Sequence, residues 1–359
     1  MKPISDQPHR RIEQLDGVRA LAIGLVLAVH VGLFSSGWVG VLIFFVLSGF
    51  LITGILRRTR SDYAFWAPFY IRRATRILPP LVLTIIGATL CFHIGWNLIA
   101  YYVFFLANVG ETLHRGESGP LGVLWSLAIE EHFYLLWPFA VRYLQRQHLI
   151  QLAVFILIGE PILRGFATPL FHSFWPIYFL TPFQLDGLAI GSLLSLLIED
   201  DKIAACIGKW SGRSTLACLA AGGLLCLQPN FARSANSVLF NSIGYSLIVL
   251  TAASFIAYLL LVPDKLLLKL FANRWMVFIG VVSYGIYLFH PLTLYVFEAS
   301  AQRLGFKHLR VFAPPAILLS ILLSWLSFKF YEKPIIEYGR SRARAGSIST
   351  SRKVSEVES

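Results

Sequence analysis

Apolar runs of about twenty residues recur along the whole of this chain, and a helix of that length is what crosses a bilayer. Residues 38–56, WVGVLIFFVLSGFLITGIL, contain no charged side chain. Of 359 residues, 56% are hydrophobic and only 14% are charged, far less charge than a soluble domain carries. In hydrocarbon the backbone has to satisfy its own hydrogen bonds within each segment, so helices are the expected solution. The sequence therefore predicts an all-α, polytopic integral membrane protein.

About ten spans are expected. They fall at 15–34, 38–56, 81–96, from 121 to VRYLQRQH at 141–148, and at 149–163, 176–198, 214–227, 238–261, 275–297 and 311–331. The stretch 97–109, NLIAYYVFFLANV, is too short to span and reads as a re-entrant or interfacial segment. Arg57, Arg58, Arg60, Arg72, Arg73 and Arg76 lie between the second and third spans, on the side of the basic leader with Lys2, Arg10 and Arg11. Basic residues mark cytoplasmic loops, so both termini are expected in the cytoplasm of a multi-pass protein in the bacterial inner membrane. The net charge of +12 is then a topology signal, and nucleic acid is not an expected partner. Residues 1–14 read as a basic leader without a cleavable signal peptide, 15–335 as the membrane domain, and 336–359, Ser- and Arg-rich, as a disordered cytoplasmic tail. The four cysteines show no metal spacing and read as small buried hydrophobes.

Ionisable residues at membrane depth cost several kcal/mol by common estimates, so each must face a cavity or a partner. Arg19 and His30, eleven positions apart in DGVRALAIGLVLAVH, fall on one helix face, ~16 Å apart along the axis. A cation near one end and an imidazole deeper on the same stripe describe a lined cavity. Asp16 sits one turn from Arg19 and is suited to pair with it at the interface. Glu130, Glu131 and His132 are consecutive in LWSLAIEEHFYLLWP; successive residues point 100° apart, so at least one carboxylate needs a cation or a proton. In FYIRRATRILPP, Arg72, Arg73 and Arg76 suit either a positive-inside anchor or a clamp for an anionic ligand, since guanidinium forks match phosphate oxygens. Asp186 lies beside the small-residue face Gly187, Gly191 and Ser195, which allows close helix approach. Glu160 is a weaker candidate at a helix end. SYGIYLFHPL brings Ser283, Tyr284, Tyr287 and His290, with Tyr287 and His290 one turn apart, although tyrosines also populate interfacial belts.

These motifs, taken with GVLIFFVLSGFLITGIL and in this order over residues 11 to 335, resemble the membrane acyltransferase-3 family of bacterial O-acyltransferases. The resemblance implies an enzyme of ten or eleven helices that moves an acyl group, commonly acetyl from acetyl-CoA, to a sugar hydroxyl. The family's Arg–ten residues–His signature falls on Arg19 and His30, its arginine cluster on Arg72, Arg73 and Arg76, its glutamate pair on Glu130 and Glu131, and its late histidine on His290. Gln184 stands where many relatives carry arginine, which leaves Asp186 without an evident cation. No hydrolase-type C-terminal domain, such as some relatives have, is expected here, so transfer is expected to finish in the membrane unit or pass to a separate protein.

On this reading no cofactor or metal is bound, and acyl-CoA, most simply acetyl-CoA, is a co-substrate. Its phosphates are expected at Arg72, Arg73 and Arg76, with Arg19 deeper. His30 serves as general base or as transient acyl acceptor, and Glu130 or Glu131 orients its ring. Hydroxyls and amides near Ser48 and Gly49 would hold the oxyanion. Expected partners are acyl-CoA, a carbohydrate or glycoconjugate acceptor, and the lipid bilayer. A transporter or flippase for lipid-linked sugars, or a non-catalytic scaffold, would also suit cavity-lining charges.

Overall fold

The computed structural model describes residues 12–114, 119–305 and 312–343, and every regular element among them is helical. In chain order the helices are α1 (Glu13–His30), α2 (Val39–Arg58), α3 (Trp66–Phe92), α4 (Trp96–Val103), α5 (Ala107–Leu113), α6 (Trp125–Tyr143), α7 (Arg146–Ala167), α8 (Trp175–Phe179), α9 (Leu185–Leu197), α10 (Asp201–Leu225), α11 (Tyr245–Leu261), α12 (Lys265–Phe271), α13 (Arg274–Arg303) and α14 (Ala313–Ser327). Six stretches are long and apolar enough to cross a membrane: Val39–Arg58, Trp66–Phe92, Arg146–Leu170, Phe240–Leu261, Arg274–Arg303 and Ala313–Ala343. The other four expected spans are also helical, but they do not meet that standard. α1 carries Glu13, Asp16 and Arg19, α6 carries Glu130, Glu131 and Arg142, α10 carries four charges over its first half, and α9 has only 13 residues.

α2 and α13 form the interior. In each, 61% of the apolar window is buried, against 17% for the last span, whose outer faces are left to lipid. α1 packs on both, α9 lies along α2, and α14 along α13. α7 and α11 flank α9, α6 leans on α2, and α3 on α13. Glycine makes the two tightest crossings possible. A Cβ on Gly191 would overlap the Val46 carbonyl, and one on Gly49 the Leu188 carbonyl, so α2 and α9 touch backbone to backbone. A Cβ on Gly280 would strike the Asp16 carbonyl, which brings α13 equally close to α1. The small face expected at Gly187, Gly191 and Ser195 is therefore the seam with α2.

One end of the bundle is tied by charge. Arg57 donates to both carboxylate oxygens of Glu199 at 3.0 and 2.9 Å, and Arg146 reaches the same carboxylate at 3.4 Å. Arg142 donates to the Arg60 carbonyl. The ends of α2, α6, α7 and α9 thus meet there. Phe271 of α12 abuts Gly17, which puts the start of α1 beside α12, the short helix between the end of α11 and the start of α13.

Several boundaries differ from the sequence reading. The arginine cluster is not a loop before the third span; α3 runs through it and through Pro79 and Pro80. The span expected at 176–198 is broken. α8 ends at Phe179, Leu180 is extended (ψ 135°), a 3₁₀ turn covers Thr181–Phe183, and α9 restarts after Gln184. Pro182 has no N–H to give the Tyr178 carbonyl, so the helix cannot continue through it undisturbed. The stretch 97–109 divides between α4 and α5. Helix persists to Ala343, into the segment read as a disordered tail; residues 344–359 lie outside the described residues, as do residues 1–11 of the leader. Cys91, Cys206 and Cys226 are exposed, contrary to the buried reading, because an apolar run in a bundle rim faces lipid as readily as core.

Candidate active site

Three helices bring charge to one place. On α1, Arg19 Nη1 donates to Asp16 Oδ1 at 3.1 Å, as one-turn spacing predicts. Arg73 and Arg76 of α3 interact electrostatically with Arg19, and Arg73 also with Glu130 and Glu131 of α6. Glu332, in a π-helical turn (Phe328–Glu332) after α14, adds a carboxylate in range of Arg76. Arg73 lies over the Tyr134 ring at 5.7 Å and near Phe69 at 6.0 Å, and its Nε is buried without a partner, as is Glu131 Oε1. Arg72 parts company with the other two: its charged neighbours beyond Arg73 are Asp62 and Arg340. The arginine run therefore divides into a pair facing carboxylates inside the bundle and one cation at its charged end.

Glu130 is tightly held. Ser48 Oγ donates to its Oε1 at 2.8 Å and Tyr134 OH to its Oε2 at 3.0 Å, with the Tyr134 and Ser48 hydroxyls 3.2 Å apart. This corrects two expectations. Neither Glu130 nor Glu131 orients the His30 ring. Nor do Ser48 and Gly49 form an oxyanion hole: the hydroxyl is spent on Glu130, and both amides lie mid-helix in α2, where they serve the helix itself.

The imidazole is instead oriented by backbone. His30 Nδ1 lies 2.8 Å from the Val26 carbonyl oxygen. A carbonyl only accepts, so Nδ1 carries the proton and the neutral ring keeps its lone pair at Nε2. His290 repeats the arrangement, with Nδ1 donating to the Ile286 carbonyl at 3.0 Å and Nε2 buried without a partner. The two rings meet edge to face, 4.7 Å between centroids. Tyr287, one turn before His290, exchanges a 2.7 Å hydrogen bond with Ser126 and donates to the Val123 carbonyl at 2.8 Å. His30 ends α1 and is exposed, whereas His290 is fully buried in α13. The pair thus closes the exposed end of the stripe that begins at Arg19.

The family model of an acyltransferase domain, acyltransferase 3, matches residues 12–329. The chain belongs to the acyltransferase-3 family. Among relatives of this acyltransferase-3 chain, the peptidoglycan O-acetyltransferase OatA of Listeria monocytogenes is 30% identical over 94% of the chain. The putative peptidoglycan O-acetyltransferase YrhL of Bacillus subtilis is 29% identical over 93%, and the O-acetyltransferase OatA of Staphylococcus aureus 29% identical over 92%. The chain spans a little over half of each of these relatives, 58%, 56% and 58% of their lengths. No solved structure matches.

A second buried charge cluster in this acyltransferase-3 domain supplies the partner that Gln184 does not. Arg164 of α7, with no exposed surface, donates from Nη2 to Asp186 Oδ2 at 2.7 Å and to Ser246 at 2.6 Å, and from Nη1 to the Phe183 carbonyl at 2.9 Å. Glu160, one turn earlier, lies 3.4 Å from Nη1 and accepts the Leu185 N–H at 2.8 Å. Asp186 is thus a fixed ion-pair member at the restart of α9. The i,i+4 spacing of Glu160 and Arg164 was the available signal for it. Tyr134 and Glu332 also escape a sequence reading, Tyr134 because a tyrosine in an aromatic run looks like belt or core. Among the described residues no group of three or more His, Cys, Asp or Glu side chains is arranged to hold a metal. A cavity of about 600 Å³ between α10 and α11, near Gly208, Lys209, Gly212 and Tyr258, includes none of the candidate residues.

Proposed function

We propose that the chain is a membrane-embedded O-acyltransferase that moves an acetyl group from acetyl-CoA to a hydroxyl of a carbohydrate. The observation that carries this reading is the His30 ring, locked by Val26 into the tautomer that leaves Nε2 basic and set against a second, identically locked ring. In this scheme Nε2 takes the acceptor hydroxyl proton as the oxygen attacks the thioester carbonyl. The C–S bond breaks and the coenzyme thiolate leaves, collecting the proton from the imidazolium. Direct attack by Nε2 to give a transient acyl-imidazole uses the same lone pair.

The donor enters from the charged end of the bundle. Arg73 and Arg76 already face Glu130, Glu131 and Glu332, so a polyanion competes with carboxylates for them. Arg72, with Arg340 as a like-charged neighbour and Asp62 as an opposed one, suits the coenzyme phosphates better. Arg19, Arg73 and Arg76 then line the path towards His30. The names of the relatives support an acetyl donor group and a glycan acceptor. Nothing in the geometry favours a flippase. The expected orientation is multi-pass in the bacterial inner membrane, with both termini and the arginine end in the cytoplasm. The test is release of coenzyme A and labelling of a glycan oligosaccharide when purified protein in detergent meets ¹⁴C-acetyl-CoA. Transfer at or below the rate without enzyme would end the proposal.

A further inference from the structure

Arg233 lies in the connection between α10 and α11, at the end of the bundle opposite the arginine cluster. Its guanidinium carbon sits 4.4 Å from the Tyr178 ring centroid, 4.7 Å from Trp38, 4.9 Å from Phe174 and 5.7 Å from Trp175. Four rings, one from the start of α2 and three from the broken α8 segment, surround the one cation and form a built basket. The connection is pinned there: Asn236, at φ +47°, donates from Nδ2 to the Phe171 carbonyl at 2.9 Å and accepts from Asn241 at 2.9 Å. Among the described residues no carboxylate forms an ion pair with Arg233. One N–H of the guanidinium is hydrogen-bonded to the Tyr178 hydroxyl, and a guanidinium has five N–H donors, so others are left for ligand oxygens. Phe174 and Trp175 are only half-buried.

The basket is also connected to the histidines. Tyr178 packs on Trp125 at 4.5 Å; the next residue, Ser126, hydrogen-bonds Tyr287, whose ring lies 5.9 Å from His290. We infer that Arg233 and its aromatic basket are the acceptor subsite, and that it selects a saccharide carrying an anionic group next to the sugar ring. The sugar's C–H face stacks on Phe174 and Trp175 while its acidic substituent takes the Arg233 N–H groups that Tyr178 leaves. This rests on the acyl-transfer reading for its function, although binding itself does not depend on transfer.

The experiment uses the full chain in detergent and two probes: a β-1,4-linked N-acetylglucosamine tetrasaccharide, and the same tetrasaccharide bearing carboxylate-terminated lactyl ethers. Affinity is read by microscale thermophoresis. The acidic probe is expected to bind about tenfold tighter than the neutral one, the fold-change of one charge-assisted hydrogen bond. Arg233→Gln is expected to erase that preference, Arg233→Lys to keep part of it, and Trp175→Ala to weaken both probes. Equal affinities in the wild type, or an undiminished preference in either Arg233 variant, would overturn the assignment. Preferential binding without acetyl transfer would leave the subsite standing and remove the transferase reading alone.

Discussion

Truncating the His30 ring removes the one lone pair that the backbone holds ready on α1. His30→Ala is expected to lower transfer by at least about a hundredfold, the low end of what a positioned base contributes. The melting temperature in detergent should move little, since His30 is the last residue of its helix and its ring makes one hydrogen bond. Turnover within a few-fold of wild type would remove His30 from the mechanism. Arg164 is expected to behave in the opposite way. Arg164→Met leaves Glu160 and Asp186 buried without their cation, a change that costs about 3–5 kcal/mol when one partner of a buried pair is lost. The measurement is thermal unfolding in detergent, and an unshifted transition would show that the cluster carries no such load. Sequence reasoning separates these two sites unevenly. Arg19 and His30 were legible because helix periodicity alone puts them on one stripe. What orients the His30 ring was not legible: a main-chain carbonyl at i−4 is available to any helical histidine and leaves no sequence mark. The pairing of Glu130 with Ser48 joins residues 82 apart, a separation that only the packed bundle closes.

At the scale of elements, close crossings account for more of the fold than propensity does. Gly191→Leu would drive a side chain into the Val46 carbonyl, and the α2–α9 seam has no flexible atom there to yield. The expected result is loss of a monodisperse peak in fluorescence-detected size-exclusion chromatography. Gly159→Ala is the matched control. A Cβ there meets nothing within 4 Å, so the variant should be neutral or stabilised by about 0.5–1 kcal/mol through helix propensity. Equal damage from both would show that glycine spacing is not what joins α2 to α9. The short α12 depends on its cap. Asp264 accepts the Leu266 and Leu267 N–H groups at 3.0 and 3.1 Å, and the Tyr258 hydroxyl donates to it at 2.9 Å. The Leu267 N–H first, then that hydroxyl, hold the Asp264 carboxyl below the usual carboxylate range. A carboxylate with a lowered folded value stabilises above its unfolded value, and that contribution is lost as pH falls through the folded one. Protection factors of the Lys265–Phe271 amides, taken against the intrinsic rate at each pH, should therefore fall on acidification; in Asp264→Ala they should be low at neutral pH already. Hydropathy found the long elements because bilayer thickness fixes their length. It did not find the break at Leu180, because the apolar run continues across it while Pro182 and the extended backbone interrupt the hydrogen bonding.

For the whole molecule the question is which end of the bundle faces the cytoplasm. Arg57, Arg146 and Glu199 gather at one end with Arg142 and Arg72, while His30, Trp38 and Arg233 belong to the other. On the orientation proposed from the positive-inside bias, the first end is the cytoplasmic one. In the proposed scheme that orientation sets the coenzyme entry against the acceptor entry, with the histidine pair towards the acceptor side. α10 carries its own reporters of this polarity. Cys206 and Cys226 are exposed, lie near its two ends, and are separated by ~30 Å along the axis, about one hydrocarbon thickness. With Cys91 and Cys218 changed to serine, each remaining cysteine can be kept alone. A membrane-impermeant maleimide added to intact spheroplasts is expected to modify the chain that retains Cys226 and to leave the one that retains Cys206 untouched. Permeabilisation should then expose Cys206. The inverse pattern would turn the bundle over, place Arg72 and Arg340 away from cytosolic coenzyme, and take the proposed donor path with them.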